Sequence, residues 1–380
     1  MNKKLILFMA VLLVTGCGGG RSVREEPAKL LDFPAERRVK LLWSASSGAS
    51  AVDRAVTLSP AIEGGVIYTS DPKGNVTAFT ADNGRKSWET GVDLPITGAV
   101  AAGSGIVVVA SKKGHVVALD GVNGKKIWTG NLPSQVLSPA AIYAGVVVVQ
   151  SVDGKLTGLS AVDGKKLWVY ARAEPPLSLH GTATPVATDN VVFSGFASGK
   201  LVAVQIQDGK LLWDMAVTQP RGRNEIERLV DVDVSPLLVR NVVYAASYQG
   251  KVIAMDVQTG RILWSRDMST YSGMDTDSSN LYLTDVQGNV IALDLRTGAS
   301  VWKQEQLHAR QLNAPRYING QIAVGDLEGY VHWLSADDGH FVARYRVANN
   351  AIRSQPLVRD DTLYVSSQSG TLAALQLEKK

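Results

Sequence analysis

One segment pattern returns eight times along this 380-residue chain, and few folds can accommodate it. The stretch 107–128 shows it whole. The apolar run Val107 to Ser111 leads to a turn at Gly114, a second run ends at Asp120, a second turn follows at Gly124, and a third run ends on Trp128. The first-turn glycines are Gly74, Gly114, Gly154, Gly199, Gly250, Gly288, Gly329 and Gly370, spaced 40, 40, 45, 51, 38, 41 and 41 residues. A second glycine comes ten residues later in seven copies: Gly84, Gly124, Gly164, Gly209, Gly260, Gly298 and Gly339. Four residues beyond it stands a tryptophan in six of these: Trp88, Trp128, Trp168, Trp213, Trp264 and Trp302.

Each position has a physical reason. Glycine enters the positive-φ region that tight hairpins require. Asn83, Asn123, Asp163, Asp208 and Asp338 precede several second glycines, as in Asn-Gly and Asp-Gly turns. The runs between are β-branched and apolar, which suits buried strands. Prolines 60, 139, 185, 236, 315 and 356 mark where a fourth strand begins, because proline is tolerated at a strand's first residue. Four strands in about 40 residues, repeated, describe the blade of a propeller.

The two ends of the chain complete one copy. The last copy stops at Lys380, before its second glycine and tryptophan, while Val39 to Trp43 reads like the missing strand. The expectation is therefore an all-β, eight-bladed propeller over residues 39–380, with four-stranded antiparallel blades. The N-terminal strand should pair in the last blade and close the ring, which removes open edges. Copy seven carries Trp333 where the others carry a small residue and Ala343 where they carry tryptophan. That predicts a volume-conserving exchange, with Trp333 filling the gap at Ala343.

The first residues read as a targeting segment. Lys3 and Lys4 precede the apolar stretch Leu5 to Val14, which is too short to span a bilayer. It ends in Val14-Thr15-Gly16-Cys17, which resembles a bacterial lipobox. The expected division is a signal peptide at 1–16 and a lipidated linker at 17–38, with acyl chains on Cys17. Gly18, rather than Asp, follows the cysteine, which favours the outer membrane and its periplasmic face. Cys17 is the only cysteine, so no internal disulfide and no thiolate zinc site can form. The formal charge of +4 falls to +2 once the two signal lysines are removed, too little for nucleic-acid binding.

Signs of chemistry are sparse. His115, His180, His308, His332 and His340 show no zinc-motif spacing. Asp120, Asp256 and Asp294 recur at one repeat position, where hairpin hydrogen bonding accounts for them. No nucleophile elbow or phosphate loop is present. No catalytic residue, metal ligand or cofactor is assigned. The repeat is instead broken twice. About five extra residues lie around 173–181 and about eleven around 221–233, consecutive interruptions expected as loops on one face of neighbouring blades.

The string Ala118-x-Asp120-x-x-x-Gly124-x-x-x-Trp128 resembles the tryptophan-docking motif of quinoprotein propellers. That resemblance keeps a quinone-dependent dehydrogenase or a ligand-binding periplasmic propeller as the alternative. The chain lacks the cysteine pair such dehydrogenases place under their cofactor. Taken with the lipobox, the strings Pro176-Leu177-Ser178-Leu179-x-Gly181 and Glu225-Ile226-x-Arg228-Leu229-x-Asp231-Val232-Asp233 resemble the BamB family over the whole mature chain. The resemblance implies a non-enzymatic scaffold lipoprotein of the outer-membrane β-barrel assembly machinery. It implies that Leu177, Leu179, Asp231 and Asp233 bind the POTRA domains of BamA, and that unfolded outer-membrane proteins are clients, with β-augmentation as one route. His180 departs from the family's arginine at that position. Trp43, Trp88, Trp128, Trp168, Trp213, Trp264 and Trp302 take the structural docking role.

Overall fold

The computed structural model describes residues 25–48 and 57–378, except 174, 176, 178–182, 189, 220–222, 225, 226, 228 and 271. Cys17, Leu179 and His180 therefore lie outside the described residues. Strands dominate the rest, and they form eight four-stranded antiparallel sheets, the blades of a propeller. In blades 1 to 7 the strands, A to D, follow chain order. Blade 3, for example, runs Ala141–Tyr143, Val146–Ser151, Lys155–Ser160 and Lys166–Ala171. The A strands of blades 1 to 4 touch in succession, as do those of blades 6 to 8. The B and C strands are buried between neighbouring blades, and the D strands face outward half exposed. Antiparallel order sorts the connections: B–C turns and D–A connections share one face, and A–B and C–D turns share the other.

The ring closes as the chain ends imply. Val39–Ser46 pairs with Thr371–Leu377 and becomes strand D of blade 8, beside Thr362–Ser366 and Leu357–Arg359. All six marker prolines stand one or two residues before an A strand.

Tryptophan joins each blade to the next. The indole Nε1 of Trp43, Trp88, Trp128, Trp168, Trp213, Trp264 and Trp302 donates to a backbone carbonyl of the following blade, at 2.7–3.0 Å. The ring lies on that blade's second glycine. A Cβ on Gly84 would come within 2.4 Å of Trp43, and one on Gly124 within 2.5 Å of Trp88. These glycines thus meet two demands, a positive φ and a flat contact for the neighbour's indole. The residue paired across from each indole is small, as at Ala118 opposite Trp128.

Blade 7 inverts the pair. Trp333 and Ala343 face each other across strands C and D, both buried, and Trp333 is the largest fully buried side chain among the described residues. Trp333 points into a cluster with Val331, Leu363, Val365 and Leu375, which carries the blade 7–8 contact without an indole docked on a glycine.

Residues 25–38 form a strap laid across the outer edge of blade 7. Ala28 N–H donates to the His308 carbonyl, and Arg310 donates to the Ala28 carbonyl at 2.8 Å. Phe33 stacks on Phe341 with centroids 5.1 Å apart, and the Arg344 guanidinium covers both rings. Glu36 N–H donates to Val342, and its carboxylate meets His340 Nε2 at 2.8 Å. Beneath the strap, buried Arg310 pairs with Asp326, which accepts from His332 Nε2 at 3.0 Å, and Arg344 donates to His332 Nδ1. Burial first, then the nearby arginines, hold His332 below its ordinary pKa, while Asp326 acts against them.

Two outcomes follow from this packing. Trp333→Ala should lower the unfolding free energy by about 3–5 kcal/mol, read from urea midpoints; unchanged stability would refute the volume exchange. His340 is held above its ordinary pKa mainly by the Asp338 hydrogen bond, with Glu36 adding to it. Only the Glu36 share of that raise couples to the strap; it stabilises the strap fully below about pH 6.5 and is lost as pH rises through the raised value. Hydrogen exchange at 28–36, corrected for the intrinsic pH dependence, should therefore quicken at high pH, and Glu36→Gln should flatten the response.

Candidate functional site

Both long insertions are D–A connections. The first joins Lys166–Ala171 of blade 3 to Val186–Thr188 of blade 4, and the second joins Leu211–Ala216 of blade 4 to Leu237–Val239 of blade 5. They therefore leave the ring on one face, flanking blade 4. The strap starts on that same face, since Glu25 meets His308 in the D–A connection after blade 6.

The root of the first insertion is pinned by charge. Arg172 donates through Nε to Ser198 at 3.2 Å and pairs with Asp214, which also meets Lys200 Nζ at 3.1 Å. Burial raises the Asp214 carboxyl, yet the Arg172 and Lys200 hydrogen bonds outweigh it and hold the group below the usual carboxylate range. This ties strand D of blade 3 to strands C and D of blade 4. Leu177, at 39% exposure, presents an apolar side chain to solvent beyond this anchor.

The second insertion divides into a tip and a root. At the tip, the Glu227 side chain accepts from Arg223 N–H and the Asn224 amide, and Asn224 accepts in turn from Glu227 N–H at 2.8 Å. The root, Leu229 to Val234, turns inward. Val232 is fully buried against Phe193, Val243 and Ile253, and its carbonyl lies so near Gly195 that a Cβ there would meet it at 2.2 Å. The Asp231 carbonyl accepts from Tyr248 N–H, and Asp231 as a whole is 1% exposed. Asp233 is half-buried and Leu177 is exposed.

Of the residues that the sequence singles out for partner contact, Leu177 is thus open to solvent and Asp233 is partly so. Asp231 sits inside the root. Sequence position alone did not separate root from tip: the alternation of Val230, Val232 and Val234 with Asp231 and Asp233 would leave both aspartates outside, whereas Asp231 is buried with the valines. The repeated aspartates behave as hairpin caps: Asp120 accepts from Val122 and Asn123 N–H, and Asp294 from Thr297. Among the described residues no cluster of three His, Cys, Asp or Glu side chains is placed to hold a metal ion.

The root–tip division has a measurable consequence. Asp231→Arg forces a bulky charge into a packed root and should cost at least about 2 kcal/mol of stability. Leu177→Ala should stay within about 0.5 kcal/mol of the parent in urea unfolding. Equal effects would show that the two positions do not differ in this way.

Comparison with known proteins agrees with this geometry. A family model described as outer membrane protein assembly factor BamB matches residues 35–95 and 72–304. The chain is 44% identical over 376 residues to the outer membrane protein assembly factor BamB of Alkalilimnicola ehrlichii, covering 99% of this chain and 97% of that one. It is 42% identical to the Pseudomonas aeruginosa protein of the same name, covering 98% of each. The crystal structure of BamB from Moraxella catarrhalis superposes with a TM-score of 0.82 at 28% identity, over 89% of this chain and all of that one. Quinohemoprotein alcohol dehydrogenase from Comamonas testosteroni reaches a TM-score of 0.70 at 13% identity, over 91% of this chain and 78% of that one, a likeness of fold alone.

Proposed function

This chain belongs to the BamB family, and we propose that it serves as a non-enzymatic scaffold lipoprotein in outer-membrane protein assembly. In this reading Cys17 carries the acyl chains and holds the ring at the periplasmic face of the outer membrane. Two or more chains suffice for stable anchoring at about 0.8 kcal/mol per buried methylene. The insertions flanking blade 4 bind the POTRA domains of BamA, with unfolded outer-membrane proteins as clients of the resulting complex.

The observation that carries this reading is the placement of both departures from the repeat on one face, at consecutive blades, on a rigid frame. An exposed leucine beyond a charge-pinned root on one insertion, and a polar tip on the other, have the make-up of a protein contact: an apolar anchor with a polar rim. Leu177 and Leu179 are the proposed anchors. Asp233 and His180 are the proposed polar contacts, with His180 a charge that depends on pH. Asp231 contributes by holding the root in place. The dehydrogenase alternative draws only on the shared ring.

The test is capture of BamA from detergent-solubilised membranes by the full lipoprotein. Leu177→Glu should lower the retained BamA by about tenfold or more, the effect of losing roughly 1.4 kcal/mol at an apolar anchor. Retention equal to the parent's would sink the assignment of the first insertion.

A further inference from the structure

The strap over blade 7 is held at its middle by one guanidinium. Arg344 Nη1 donates to the Leu31 carbonyl at 3.0 Å, and the same group lies over the rings of Phe33 and Phe341 at 5.0 and 5.5 Å. Below, Arg344 Nε donates to His332 Nδ1 at 3.2 Å. Arg344 Nη2 is buried and makes no hydrogen bond among the described residues. The guanidinium therefore stands on two hydrogen bonds, one up to the strap and one down to the histidine. Those bonds fix the imidazole tautomer. An arginine N–H can only donate, so Nδ1 presents a lone pair. The proton of the neutral ring is then on Nε2, which donates to Asp326 at 3.0 Å. Nδ1 is left as the one ring atom that can take a further proton. Once it does, two donors and two positive charges face each other, and the bond to Arg344 is lost.

The surroundings do not offset an added charge. His332 is fully buried, with the rings of Tyr330 and Phe341 at 6.2 and 6.1 Å, and Tyr330 is itself covered by Arg346. Arg310, from the connection before blade 7, pairs with Asp326 and also meets Glu328, both in the B–C turn. From the strap, Asp32 acts on Arg344. Asp326 is the one carboxylate that the ring touches, and it is already shared with Arg310. Burial, with the two arginines adding to it, keeps the ring neutral.

We infer that His332 and Arg344 form a proton-operated catch for the strap: a proton on Nδ1 expels Arg344 and frees the segment that Arg344 holds. The closed strap needs the neutral ring. Its share of stability is fully present above about pH 6.5 and is lost as pH falls below that value toward the lowered one. The two ends of the strap respond the other way. Glu25 meets His308, and Glu36 meets His340 beside Asp338, contacts that gain from a protonated histidine. Those pairs are solvent-exposed and screened, so the buried centre decides. On the reading that places acyl chains on Cys17, release lengthens the tether from eight residues, at most about 26–29 Å, to the 22 that lead to Val39, at most about 73–79 Å. Only this change of reach rests on that reading. The catch stands on the geometry of blade 7, so either can fail without the other.

The test is amide hydrogen exchange, corrected for its intrinsic pH dependence, on the full mature chain carrying Glu25→Gln and Glu36→Gln, which silence the end pairs. The reporters are the amides at positions 28 and 36, which donate to the His308 and Val342 carbonyls. Their opening constant should rise about tenfold to thirtyfold from about pH 7.5 to about pH 5, the upper figure being the one-proton limit for a histidine that opens to its ordinary pKa. His332→Gln keeps a donor and an acceptor but cannot take the proton, and it should hold the opening constant within about twofold over the same range. Where that variant does not fold, imidazole nitrogen chemical shifts of the parent decide. They should show the Nε2–H tautomer at the higher pH and a second protonation with the same midpoint as strap opening. An opening constant that does not rise, an undiminished rise in His332→Gln, or a ring that stays neutral while the strap opens overturns the catch.

Discussion

Each blade of this ring rests on the next through one indole and one glycine. The indole crosses a gap of 31 to 44 residues to reach its carbonyl, as from Trp264 to Leu295 and from Trp213 to Val257. The hydrogen bond is worth only about 1 kcal/mol net. The burial behind it is larger, because a tryptophan brings roughly 150–250 Å² of surface to the seam. What makes the contact decisive is its repetition around a closed circle. A blade has no partner for its inner faces other than its neighbours. Trp43 is the clearest case: it belongs to the first strand in the chain, it completes the last blade, and it docks on the first. One strand thus supplies both the pairing and the seam contact that shut the ring.

Blade 7 shows what happens when this contact is withheld. The exchange of Trp333 and Ala343 keeps a tryptophan in the inter-blade cluster but moves its ring to the middle of the sheet. Nothing then lies on the blade 8 hairpin, and blade 8 has no such hairpin to offer, since its C and D strands come from opposite ends of the chain. The missing second glycine and the missing docking tryptophan are one event seen from two sides. The strap at 25–38 braces the same blade from outside. Phe33 and Arg344 stack on Phe341 along strand D. The buried set Arg310, Asp326 and His332 then ties the connection before blade 7 to its B–C turn and C strand.

Much of this was legible in the sequence because it is periodic. Glycine spacing disclosed the blades, tryptophan spacing disclosed their outer strands, and the incomplete last copy disclosed the closure. What was not legible depends on contacts between copies. The second glycines read as turn residues, and only the structure shows the neighbour's indole lying where a Cβ would go. The tyrosines of some B strands were silent for the same reason: Tyr68 and Tyr244 reach carbonyls 53 and 51 residues away. The strap has no repeat to announce it. Within the candidate site, the extra length around 221–233 was visible. Its division was not, because burial of Asp231 and Val232 is decided by Gly195, Phe193 and Tyr248 on adjoining strands.

The two faces of the ring follow from strand order, and they set what the molecule can do at once. Antiparallel pairing sends both insertions and the start of the strap to one side. A tether reaching Glu25 from Cys17 spans eight residues, at most roughly 26–29 Å when extended. In the proposed reading, an anchor at Cys17 would hold the ring by the connection between blades 6 and 7, with the insertions flanking blade 4 two to three blades around the same face. The opposite face carries the A–B and C–D turns. A rigid disc of this kind can engage a partner on one side while leaving the other free, because no segment that forms the insertions contributes to the A–B or C–D turns.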